Sequence, residues 1–168
     1  MSWSRAEVLA LATKAARGAG APPAQAAHFG RAAAIHLGQG RDAAALGQAL
    51  DALPAGAIMR MPLQLQELLL AAHGTVQHRL EIPTGGQPSL LRSYLETLPH
   101  ATEVVAAHGD SLDVTVDTTT SAPSLRLGRV EGCAALLAQM TVLAARTFVP
   151  DSETSRRAGA GAGTSDND

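Results

Sequence analysis

Trp3, Phe29, Tyr94 and Phe148 are the only aromatic residues in a chain of 168 whose hydrophobic content is 46%. That imbalance constrains the fold more than any motif. A chain this apolar has the means to leave the disordered state, and one of this length can bury roughly 70% of its extended surface in a core. The core then has to be built from Leu, Ala and Val. Alanine-rich helices can approach closely, but each alanine removes little area from water. Part of the apolar surface is therefore expected to be covered by a second copy, in a homo-oligomer.

The periodicities predict helices first and a mixed region after them. Ser4-Arg5-Ala6-Glu7 is a capping box, with Trp3 placed to staple onto Val8. Val8, Leu11, Ala12 and Ala15 then share one helical face, ended by Gly18 and Gly20. Pro22-Pro23 opens a second helix carrying Phe29, Ala33 and His36. Asp42 caps a third, through Leu46 and Leu50 up to Pro54. From Ala57 to His73 the alternation of Met59, Met61, Leu63 and Leu65 favours a short strand running into a helix. Val76 to Ile82 alternates as a half-buried strand, and Leu91, Tyr94, Leu95 and Leu98 mark a helix capped by Ser89. A hairpin is expected near 103–117, turning at His108-Gly109-Asp110-Ser111. A short strand at Leu125–Val130 and a long last helix up to Pro150 complete the reading. The fold class is α+β: one domain over 1–150, then a Gly/Ala-rich tail over 151–168 that can order against it.

Several partner classes lack their footprint. The formal net charge is −2 and no Lys or Arg run exists, so nucleic-acid binding is not expected. The apolar stretch Cys133–Val149 contains Gln139, Thr141 and Arg146, which reads as a buried helix and not as a membrane span. A lone Cys133 forms no internal disulfide, and MSWSRAE has no signal-peptide pattern. The expectation is a soluble, cytoplasmic protein.

The chemical motifs are weak. Gly109-Asp110-Ser111-Leu112 spells the signature of a class of serine esterases, but no histidine follows His108 to serve as the base. A hairpin turn explains the same four residues. His28, His36, His73, His78, His100 and His108 lack the i,i+4 spacing that puts two metal ligands on one helix face. Asp113 and Asp117 share a strand face near Asp110, without an EF-hand pattern. The glycine pairs 18/20 and 38/40 follow helices and not strands, so they are stops and not dinucleotide loops.

That leaves the tail. The amides of Gly159, Gly161 and Gly163 can turn toward one point as an anion nest. Arg156 can clamp a carboxylate or phosphate, with Ser152, Thr154 and Ser155 as donors. Asp166, Asp168 and the terminal carboxylate offer oxygen ligands to a hard cation. The stretch from Arg146-Thr147-Phe148-Val149-Pro150 through Ser155-Arg156 and AGAGAGTSDND resembles the C-terminal signature of a bacterial family catalogued as a domain of unknown function. SRAEVLALATKAARGAGAP resembles that family's opening, although Pro22-Pro23-Ala24 stands where an aromatic is expected and Arg157 where an apolar residue is. The resemblance implies order in the tail but no activity and no named cofactor. The expected function is a binding or accessory protein without autonomous catalysis. The alternative is an enzyme acting on a small anionic metabolite, with Arg156 and the glycine amides on the anion, Asp166 or Asp168 as base or cation ligand, and His108 assisting.

Overall fold

A computed structural model describes residues 2–147. In chain order the elements are α1 (Arg5–Gly18), α2 (Pro23–Gly38), α3 (Ala44–Asp51), α4 (Ala57–Ala71), β1 (Thr75–Glu81), α5 (Pro88–Leu95), β2 (His100–Ala107), β3 (Ser111–Ser121) and α6 (Ala134–Ala145). The class is α+β, with a three-stranded antiparallel sheet in the order β1-β3-β2.

The scarcity of aromatics is met by close helix contact. Ser4 Oγ accepts from the Glu7 amide at 3.3 Å, and Glu7 Oε2 accepts from the Ser4 amide at 2.7 Å, so α1 starts as its capping box predicts. Those bonds hold the Glu7 carboxyl below its ordinary range. Val8, Ala12, Ala15 and Ala16 are then buried against α2 and α6. Gly30 sits where α2 crosses α1: a Cβ there would overlap the Thr13 hydroxyl and lie 2.8 Å from the Leu9 carbonyl. Gly18 does the same toward the Leu143 carbonyl of α6. Helices of small residues thus touch nearly backbone to backbone, with Phe29 filling the space beside them.

α4 departs from the strand-then-helix expectation. It is one helix from Ala57, entered through Gly56 at φ +77° with the Ala57 amide donating to the Thr84 carbonyl. Ala57, Ile58, Met61, Pro62, Leu65 and Leu68 are buried, which is a helical repeat. Leu63 is exposed, so the alternating residues do not share a buried face. Pro62 lies inside this helix and brings no N–H to the Ile58 carbonyl one turn back.

The hairpin forms as predicted, with the His108 amide donating to the Ser111 carbonyl. β3 is the centre of the sheet. Leu80 pairs with Leu112 and His78 with Val114, and Leu80, Leu112, Val114 and Val116 belong to the main core. β2 carries a bulge between Val104 and Ala106. The strand expected at Leu125–Val130 is instead an extended strap. Its Gly128 amide donates to the Gly38 carbonyl at 2.8 Å, and Val130 exchanges two hydrogen bonds with Trp3. Ser89 does not cap α5, whose first residue is Pro88. The last helix is shorter than expected, at 12 residues. No described helix is long and apolar enough to cross a membrane.

Candidate functional site

The residues favoured by the sequence, Ser155, Arg156, Gly159, Gly161, Gly163, Asp166 and Asp168, lie outside the described residues. The other motifs can be placed. Ser111 is buried at the start of β3, and its hydroxyl meets only the Asp110 carboxylate at 3.4 Å. The GDSL letters are therefore a hairpin turn. Asp113 and Asp117 part company: Asp117 accepts from the Thr119 and Thr120 hydroxyls, which lowers its pKa, while Asp113 faces Arg79 and His108. Among the described residues no group of three His, Cys, Asp or Glu side chains is arranged for a metal ion. Cys133 is buried, and burial pushes its thiol pKa up, so it is not a poised nucleophile.

One serine–histidine pair does exist, and no motif announces it. His36 is fully buried on α2, with Nδ1 2.8 Å from Ser93 Oγ on α5 and Nε2 2.9 Å from the Asp42 carbonyl. A carbonyl can only accept, so Nε2 carries the proton. Burial, opposed by the bond to Asp42, pushes the ring pKa down and leaves Nδ1 an acceptor, which competes for the one Ser93 hydroxyl proton with the Ser89 carbonyl at 3.0 Å. Arg41 donates to Ser93 Oγ at 2.6 Å and reaches both oxygens of Glu96, at 2.6 and 2.8 Å. A serine beside a neutral histidine has the parts of an activated nucleophile. Here Ser93 is also fully buried, and Arg41 occupies its oxygen. The cluster clips the α2–α3 corner to α5 and presents nothing to a substrate.

The second cluster is exposed. Arg79 on β1 makes a two-pronged contact with Asp113 on β3, at 2.6 and 3.0 Å, and His108 Nε2 lies 3.0 Å from the same carboxylate. The Arg79 hydrogen bond, followed by that from His108, holds the Asp113 carboxyl well below the usual range. It is a surface ion pair with its charges already matched.

Elsewhere on the surface, one mostly apolar cleft of about 330 Å³ lies between the start of α2, the outer side of α4 and the turn after α5. Its walls are Ala24, Pro62, Leu63, Leu65, Leu69, Leu70 and Leu98. Four polar side chains border it: Gln25, His28, Gln66 and Thr97. Thr97 donates to the Tyr94 carbonyl at 2.6 Å, whereas Gln25, His28 and Gln66 have no side-chain hydrogen bond among the described residues. His28 is half-buried; burial first, and the Arg31 charge second, push its pKa down and favour the neutral ring. A neutral imidazole can both donate and accept. An apolar floor with a few unengaged polar groups at its margin is the common form of a small-molecule site.

No family model matches this chain, and no curated protein or solved structure matches it either.

Nothing in the one-dimensional pattern pointed to this cleft. Its residues come from three separate stretches, and Leu63 read as part of a strand alternation. The one available signal was a surplus: α4 has more leucines than a single buried stripe can use, and Leu70 is 73% exposed.

Proposed function

We propose that the protein is a non-catalytic binding or accessory protein that acts through the α2/α4 cleft. The observation that carries this is the pairing of an apolar floor with Gln25, His28 and Gln66, whose polar atoms have no protein partner among the described residues. Each of the described reactive groupings is otherwise engaged: His36 and Ser93 are sealed in the core, and Asp113 is neutralised by Arg79. A cytoplasmic setting is part of the proposal and is supported by the lone, buried Cys133. Membership of the bacterial family that the two chain ends resemble is proposed on those residues alone.

A thermal-shift screen of small molecules tests the reading, because a ligand that binds the native state raises its melting temperature. Hits are expected to lose their shift in Leu69→Trp, which fills the cleft. Hits whose shift is unchanged in that variant place binding elsewhere and overturn the assignment.

A further inference from the structure

The cleft has a neighbour. A second cavity of about 230 Å³ lies beside it, and Thr97 lines both. Its polar walls are Arg5 from the first turn of α1, Arg31 from the middle of α2, and Glu96. The Glu96 carboxylate has both oxygens taken by Arg41. Arg5 and Arg31 make no ion pair and no side-chain hydrogen bond among the described residues. Among the described residues, then, two unpaired guanidinium groups share a cavity whose one carboxylate is already matched. Ile35, Pro123 and Leu125 complete the wall, and such apolar neighbours strengthen any charge pairing made there. The influence of Arg31 extends to the cleft itself, since its charge acts on His28.

From this juxtaposition we infer that the ligand is an amphipathic anion, with an apolar chain in the cleft and a single carboxylate-type head beyond Thr97, against Arg31 and Arg5. The inference rests on the cleft being the binding site proposed above. A cation would meet two like charges at the head position. A neutral amphiphile would gain the apolar floor but leave both arginines to water. A carboxylate gains two charge-assisted donors, and guanidinium is the side chain best shaped to bind it in two-pronged fashion. The apolar part supplies affinity by leaving water, and the head fixes its orientation.

The experiment compares octanoate with octanamide, which share a chain and differ in charge. Each is titrated into the full chain and into Arg5→Gln/Arg31→Gln while backbone amide resonances are followed. Both arginines are surface groups outside the core, so the double variant is expected to fold. Octanoate should shift the amides of Leu69 and Thr97, bind about tenfold more tightly than octanamide, and lose that preference in the double variant. Octanamide should bind both proteins alike. Equal binding of the two compounds, or a preference that survives without the arginines, overturns the anionic head and leaves the cleft standing. If neither compound perturbs the cleft amides, the cleft reading falls and takes this inference with it.

Discussion

His36 and His108 keep similar company, an arginine and a carboxylate nearby, yet they belong to opposite kinds of structure. Around His36 both ring nitrogens have partners inside the helical layer, and the ring is wholly excluded from water. Around His108 the same residue types lie on the outer face of the sheet, where water competes for each bond. Burial, not composition, decides what such a cluster contributes. In the helical layer the loss of one member strands the others without water. On the sheet face solvent replaces whatever is removed.

The largest effects are expected in the helical layer. Gly30→Leu forces a side chain into the α1–α2 contact, and the expected loss is about 3 kcal/mol or more, read as a lower urea midpoint. Full stability in that variant would mean that the helices are not in backbone contact there. Arg41→Met comes next. It leaves the Ser93 oxygen without the Arg41 donor and the Glu96 carboxylate with only the longer bond from Gln39 at 3.3 Å, and a cost of about 2 kcal/mol is expected, reduced from the fully buried case because the pair is partly exposed.

The pH dependence sharpens the same contrast. The folded pKa of His36 is depressed, so its contribution is complete above the unfolded value of roughly 6.5 and is lost as pH falls below it. His28 acts in the same direction. Denaturation midpoints are expected to fall between pH 7 and pH 5, with a shallower fall in His36→Gln. An equal slope in that variant would show that His36 is not held neutral.

The smallest effect belongs to the sheet. Asp113→Asn should leave the neutral-pH midpoint within experimental error. Water and salt screen this exposed pair, so what it contributes at neutral pH is small, and because the Asp113 pKa is depressed even that is lost only as pH falls below the unfolded value of roughly 3.9. A large loss at neutral pH would mean that the sheet face is covered by something that excludes water.

Local chemistry was readable from the chain, and chemistry assembled over distance was not. The capping box at Ser4 and Glu7 involves residues three apart, and it forms as read. The hairpin around Gly109 is equally local. The α4 error came from a stretch rich in leucine and methionine, which satisfies two periods at once until Pro62 and Leu63 are placed against a core. His36 and Ser93 are 57 residues apart, and no spacing rule links them. The cleft depends on where α4 lies against α2, which tertiary packing alone determines. The Gly/Ala tail drew attention because its composition is unusual within one short stretch, the kind of signal that a linear reading detects best.

If the proposal holds, the α2/α4 cleft is where this protein binds its ligand. Amide chemical-shift mapping with a fragment library of small apolar and amphipathic compounds tests it most directly. Shifts are expected to concentrate at Gln25, His28, Gln66, Leu69 and Thr97, with the β1–β3 face unmoved. Shifts concentrated on the sheet face around Arg79 and Asp113, with the cleft silent, would contradict it.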